Sequence, residues 1–438
     1  LDCVQGTLAG GSCSTDPNTA IPATFDATLC GDITTDTTVS GNVLLGCQTF
    51  VKAGATLTIT PGTTIYGETI ASTYSAVACD AASCTTAASC IFTAGSNGGV
   101  DSCMPFTSVL VIEQGAMINA AGTRGAPITF TAKATTAEMV ATAALGQTTV
   151  TDSATGAVVA HGMRGNWGGL IIAGNAEIKG STRSIEGLST PLPYGGTDNS
   201  DSSGVLQYVR VWYGGAAISA DNEINGITFG GVGAGTTVDH CEVALNVDDG
   251  FEFFGGNVNA KYLSTLFVGD DAFDTDKGYT GSLQYIFAML GSVGHHACEM
   301  DADYGDAERS APQVMSATFI GSSSQGLGHD TMMRLREGTG GAFGNMAMAK
   351  KTGVPGIRHD RCSTGGMPTG EAYTQEFAAL PHILYVSPNN VVGNIDAGAG
   401  IFNDQCPMMN TGLNDAVFVG AASTFAAAIA SASVCASA

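Results

Sequence analysis

The sequence predicts an all-β chain wound as a right-handed parallel β-helix, a solenoid whose coils hold about 22 residues. Three observations carry that expectation. Glycine occurs 60 times in 438 residues, while 13% of residues are charged and 44% hydrophobic, a balance that suits many short buried strands separated by tight turns. The segment Val238 to Gly256, containing Asp248-Asp249-Gly-Phe251-Glu252-Phe-Phe-Gly-Gly, recurs 22 residues later as Asp270-Asp271-Ala-Phe273-Asp274. A third copy starts near Ser282 and, about three residues longer, reaches Ala297-Cys298-Glu299-Met-Asp301. A fixed period of roughly 20 to 50 residues marks stacked units sharing one core. Finally, each unit holds short alternating runs broken by Gly or Asp, and Phe251, Phe253, Tyr262 and Phe273 favour strands. The Leu-x-x-Leu-x-Leu pattern of leucine-rich repeats is missing.

One elongated domain, residues 1–438, accommodates these elements, because no stretch reads as a linker. Open β-helix ends expose unpaired backbone and need covers, for which residues 1–40 and the irregular segment 381–438 are the candidates. A coil runs through Thr49 to Gly67, with Val51, Leu57, Ile59 and Ile65 pointing inward. Residues 68–106 read as an insertion projecting from one turn, and Ser108 to Ile118 resumes the coil. Pro127 opens the next strand, where its missing N–H costs least. Residues 134–163 are a second insertion, after which Trp167-Gly-Gly-Leu-Ile-Ile and Val205-Leu-Gln-Tyr-Val-Arg-Val return to the wall.

Thirteen cysteines fit an oxidising compartment. No Cys-x-x-Cys pair occurs, which argues against zinc at the cysteines. Cys79, Cys84, Cys90 and Cys103 lie within 25 residues in a polar stretch and are expected to form disulfides among themselves, since short loops close at small entropic cost. The odd total leaves one thiol free or joined to another chain. No charged-then-apolar leader precedes Leu1 and no run approaches the roughly 20 apolar residues of a membrane span, so the reading is a soluble, exported chain whose leader has been removed. The net charge of −23 repels phosphate backbones and excludes nucleic acid as a partner.

The words Phe50-Val-Lys-Ala-Gly-Ala-Thr-Leu-Thr-Ile-Thr-Pro-Gly-Thr, Asn166-Trp-Gly-Gly-Leu-Ile-Ile-Ala-Gly-Asn-Ala, Asn222-Glu-Ile-Asn-Gly-Ile-Thr-Phe-Gly-Gly-Val-Gly, Asp248-Asp-Gly-Phe-Glu-Phe-Phe-Gly-Gly and Leu335-Arg-Glu-Gly-Thr-Gly-Gly resemble a large, functionally uncharacterised family of secreted right-handed β-helix proteins at microbial surfaces. The resemblance covers most of the chain. It implies export and a solenoid, and it carries over no catalytic residue.

In the 22-residue register, Glu252, Asp274 and Glu299 fall on equivalent positions of coils about 4.8 Å apart, and Asp248 and Asp249 stack on Asp270 and Asp271. Two unit charges about 4 Å apart repel by roughly 1 kcal/mol in water and roughly 4 kcal/mol at an effective dielectric of 20. The row calls for a cation, a shared proton, or a basic neighbour such as Arg334 or Arg336. Calcium at Asp248, Asp249, Glu252, Asp270, Asp271 and Asp274 fits the ligand chemistry; a solvated acidic strip at a turn corner is the plainer alternative. An enzymatic reading also exists. Pectin-cleaving glycosidases of this fold class place carboxylates, a histidine and a basic residue on successive coils, and Asp248, Asp270, Asp271, His295 and Arg334 occur in that order. His295 and His296 invite a metal, but neighbours on a strand point to opposite faces, so both reach one ion only if the chain bends. The expectation is a structural or adhesive protein of the cell surface, partnered by itself in a filament, sheath or surface layer or by surface glycans, with polysaccharide cleavage as the alternative.

Overall fold

A computed structural model describes residues 17–68, 107–139, 164–180, 183–185, 191–216, 224–291, 293–302, 309–321, 330–350 and 355–360, together with Leu188 and the backbone of several short outlying strands. Its architecture is the parallel β-helix, with 28 strands joined in one continuous sheet. Each coil contributes to three walls. The repeat around residue 251 shows the plan: Phe251–Phe254, Ala260–Lys261 and Ser264–Leu266 form one turn, and Phe273–Asp276, Ser282–Gln284 and Phe287–Met289 form the next. All pairings between these turns are parallel, with Phe251 opposite Phe273, Ala260 opposite Leu283 and Thr265 opposite Ala288.

The core follows from period-2 alternation on three inward faces. Identical positions on successive coils are stacked, so apolar side chains form continuous rows. Phe251 lies over Phe273 with ring centroids 5.5 Å apart and planes 6° from parallel, and Phe229 stacks on Phe253 at 5.0 Å. Cys298 occupies the next step of the Phe273 row and is fully buried, as the register requires. Val51, Leu57, Ile59 and Ile65 are all buried in the same core.

The corner between the second and third walls is held by Tyr208, His240, Tyr262, Tyr285, Ser316 and Asn345, all with φ between 48° and 63°. Non-glycine residues adopt that left-handed conformation at a cost of about 1–2 kcal/mol. Stacking offsets it here: Tyr208, His240, Tyr262 and Tyr285 form one pile with centroid separations of 4.4, 4.4 and 4.9 Å.

Three features depart from the sequence expectations. Ala27–Ile33 and Thr37–Val39 pair in parallel with the following coil, so residues from 27 onward within the expected cap are already wall. Leu384–Val386, Val391–Asn394 and Phe402–Asp404 likewise pair with the preceding coil, extending the helix into the expected C-terminal cover. Thr37–Val39 and the three C-terminal strands, of three or four residues each, give too little periodicity to be told from loop, and the alternation of Ala27–Ile33 is broken by Gly31 and the register jump beside it. Third, Cys30 and Cys47, on adjacent coils, are joined by a disulfide, where the pairing of Leu29 with Leu45 jumps to that of Gly31 with Thr49. The side chains of Cys79, Cys84, Cys90 and Cys103 lie outside the described residues, whereas Cys241 and Cys298 are buried thiols.

Phe273→Ala removes a buried ring from the middle of a stack and is expected to cost about 3–5 kcal/mol, read as a lower urea midpoint with an unchanged slope. Breaking Cys30–Cys47, which spans 17 residues, is expected to cost up to about 3 kcal/mol in the same titration.

Candidate functional site

Outward positions on the first wall change character along the axis. The row opposite Phe50 runs Val111, Ile171, Thr228, Glu252, Asp274, Glu299, Arg334 and Arg358. A parallel row two residues on carries Phe254, Asp276, Asp301, Arg336 and Asp360. The apolar end is roofed by Ile178, Ile185, Leu192 and Tyr194, which form a second hydrophobic cluster with Val111 and Ile171. The charged end is also largely withdrawn from water. Glu252, Glu299 and Arg334 are buried, exposed by 8%, 6% and 8%, while the corner acid Asp270 keeps 44% of its side-chain surface. Sequence alternation marks which residues point outward; it does not reveal that distant segments cover them.

At the C-terminal end of these rows each arginine spans two carboxylates. Arg334 meets Glu299 at 3.4 Å and Asp360 at 3.1 Å. Arg336 meets Glu299 and Asp301, each at 2.5 Å, and Arg358 meets Asp330 at 2.5 Å and Asp360 at 2.9 Å. Burial opposes the charge on Arg336, yet Asp301 and Glu299 raise its pKa above the ordinary value. These are the basic neighbours the acidic row calls for, and they serve only its far end.

At the N-terminal end the balance fails. Asp249, Glu252 and Asp274 each offer an oxygen within 4.8 Å of the others. Burial, reinforced by Asp248 and Asp274, pushes the Asp249 carboxyl well up; burial, then Asp301 and Glu252, does the same for Asp274. Asn225 Nδ2 donates to Glu252 Oε2, while Asp274 Oδ1 is buried with no hydrogen-bond donor among the described residues. A small cleft of about 80 Å³ opens beside this group, lined by Asn225, Thr228, Asp248, Asp249 and Glu252 against Ile171, Ile185, Ile224 and Phe254.

The corner leading into the first wall places chemistry on a ladder. Asp249 N–H donates to Asn225 Oδ1 at 3.2 Å, Asp271 N–H to Asp249 Oδ1 at 2.8 Å, and His296 N–H to Asp271 Oδ1 at 2.6 Å. Each corner side chain thus caps the amide of the next coil. His295 and His296 follow Asp270 and Asp271 in this register. They sit in irregular backbone before the strand Cys298–Met300 rather than in a strand, and both rings reach Asp271: His295 Nδ1 lies 2.9 Å from Asp270 and 4.0 Å from Asp271, and His296 Nδ1 lies 2.8 Å from Asp271. The expectation that they diverge, which assumes a strand, is corrected by that irregular backbone. Although burial disfavours its charge, Asp271 and Asp330 lift the His296 pKa to about 10.

Of the residues proposed for catalysis, Asp248, Asp270, Asp271 and His295 share this corner, whereas Arg334 sits on the wall, bound to Glu299 and Asp360. Of the calcium candidates, Asp248, Asp249 and Asp270 converge, as do Asp249, Glu252 and Asp274, while Asp271 reaches both Asp274 with Glu299 and the two histidines. Asp330, Arg358, Asp360 and Asn225 were missed. Asp330 and Arg358 belong to coils whose spacing departs from 22, and only their ladder partners identify them.

Residues 139–377 match the model of a pectate-lyase-like β-helix domain, more than half of the chain. The chain belongs to the pectate-lyase-like β-helix family. The match spans the first-wall coils that carry the charged rows and the histidine corner. No curated protein and no solved structure matches the chain. Among the described residues no helix is long and apolar enough to cross a membrane.

Arg336→Ala leaves Glu299 and Asp301 short of a partner and is expected to cost about 3–5 kcal/mol, whereas the well-packed Arg336→Met together with Glu299→Gln and Asp301→Asn is expected to recover most of the loss. Thermal unfolding of both variants checks the contrast.

Proposed function

We propose that this family member is an exported structural or adhesive rod of a cell surface, stabilised by calcium and engaging copies of itself or surface glycans. The observation that carries the reading is the state of the charged rows. Elimination chemistry on an acidic glycan needs an arginine or lysine open to substrate beside its cation, but Arg334, Arg336 and Arg358 are each held between two carboxylates. Hydrolysis needs two carboxyl groups about 5–5.5 or 6.5–9.5 Å apart with a sugar between them. The carboxylate oxygens of Asp249, Glu252 and Asp274 lie within 4.8 Å of one another, which suits one shared cation better than an intervening ring.

Calcium takes six to eight oxygen ligands at about 2.3–2.6 Å. Asp249, Glu252 and Asp274 fit the ion: all three offer carboxylate oxygens, Asp274 Oδ1 has no donor among the described residues, and the neighbouring cleft admits water to complete the shell. Asp248 and Asp270 supply a second acidic edge. Bound calcium would cancel the repulsion that drives these acids towards their protonated forms.

A second reading, polysaccharide cleavage or capture, is favoured by the family match and by the cleft, whose acidic and apolar walls meet at the first wall. The two readings separate on incubation with acidic glycans. The rod is expected to release no sugar fragments, to bind on a glycan array or to sediment as ordered assemblies across a salt and calcium series. Fragment release abolished by Asp271→Asn would replace it with the enzyme.

Calcium at 100 times its Kd is expected to stabilise the chelated protein by about 2.7 kcal/mol. Asp274→Asn is expected to abolish that response and to leave the calcium-free protein as stable or about 1 kcal/mol more so, because it removes one of the repelling charges. Melting curves with calcium and with chelator test both statements.

A further inference from the structure

Apart from the acidic triad, we propose that Asp271, His295 and His296 form a binding site for a borderline divalent cation of the zinc class, with Asp330 as its positioning carboxylate. The three side chains offer one ligand atom each within 4.8 Å of the others, at a corner whose irregular backbone lets adjacent histidines face one point. The rings lie 4.0 Å apart, tilted by 33°.

The decisive group is His296. It is fully buried, and its Nε2 lies 3.0 Å from Asp330 Oδ1. Asp330 at that nitrogen keeps the proton on Nε2 when a metal displaces the one on Nδ1, the arrangement by which metal-binding histidines are oriented. Nδ1 faces Asp271 Oδ1 at 2.8 Å and Glu299 Oε1 at 3.5 Å, so the ring is paired with acids in the metal-free protein, and on binding the cation takes the place of the Nδ1 proton between the same groups. Asp330 is itself fixed by Arg358 at 2.5 Å, so the orienting carboxylate does not swing away.

Two imidazoles and one carboxylate select zinc, or a neighbour in its series, over calcium, which takes oxygen ligands. Bonds of about 2.0–2.1 Å place tetrahedral ligands roughly 3.3 Å apart, so His296 Nδ1 and Asp271 Oδ1 need only separate by about half an ångström. On the solvent side His295 and Asp270 keep 22% and 44% of their side-chain surface. A fourth ligand position therefore faces water, as in zinc sites that act on a bound molecule.

The test uses the full chain, stripped with chelator and titrated with zinc chloride by calorimetry near pH 7.5, with cobalt absorption as a report on geometry. One equivalent is expected to bind, with a tetrahedral cobalt spectrum, and an excess of calcium should leave it in place. Because His296 is part of the core, the informative variants are His295→Ala and Asp330→Asn. Each should keep the wild-type circular dichroism and weaken zinc, by at least about tenfold for the first and about 10–100-fold for the second, while the calcium response at the acidic triad persists. No stoichiometric zinc on folded protein, equal affinity in His295→Ala, or displacement by calcium would each overturn the assignment, the last by placing the ion among the acids. Loss of the calcium response alone would fall on the acidic triad and leave this site standing.

Discussion

Parallel pairing at one register forces every side chain to sit about 4.8 Å from its counterpart on the next coil, and the rest of the molecule answers to that spacing. For apolar residues it is an advantage: Phe251 and Phe273 stack nearly parallel, and the gain repeats without any new recognition. For ionised residues it is a burden, since a carboxylate repeated each coil meets its own kind at close range in a medium that screens poorly. Inward rows are therefore simple, and outward rows on the first wall must be solved locally.

Three solutions appear in sequence along the axis. Where the outward row is Val111 and Ile171, a chain excursion seals it with Ile178, Ile185, Leu192 and Tyr194. Where it is Glu299 and beyond, arginines enter the same rows and clasp acids in pairs. Between them lie Asp249, Glu252 and Asp274, where three carboxylates crowd within 4.8 Å of one another. Function is best sought at that gap, because like charges crowded in a folded protein are either tolerated at a cost or completed by something from outside.

The periodic part of this arrangement was legible in the sequence. The 22-residue offset places Phe251 over Phe273 and Glu252 beside Asp274, and the longer third coil still brings Glu299 and Cys298 into line. Identity at equal spacing is a signal that survives without neighbours. What escaped is non-periodic. The burial of Val111 and Ile171 depends on Ile178, Ile185, Leu192 and Tyr194, which return from another coil, and the convergence of His295 and His296 depends on a break in the strand that alternation does not contain. Asp330 reaches His296 across 34 residues, on a coil whose register is 35 rather than 22. The Cys30–Cys47 bridge was hidden for a related reason: it spans a register jump, and spacing alone does not show one.

The aromatic corner has an evolutionary consequence. From Tyr208 to Tyr285 the passage between the second and third walls is only one or two residues long, at Ser316 and Asn345 one strand runs through it, and each of these corners turns through a left-handed residue. Adding a residue there would break the pile of Tyr208, His240, Tyr262 and Tyr285 and throw every later strand out of phase. The other two corners carry the excursions, including those leading to Gly204 and to Gln313. Gain and loss of sequence in such a rod is thus channelled to two edges, with the third acting as a fixed seam, so new binding loops can be grafted around the first wall while the reading frame of the coils is preserved.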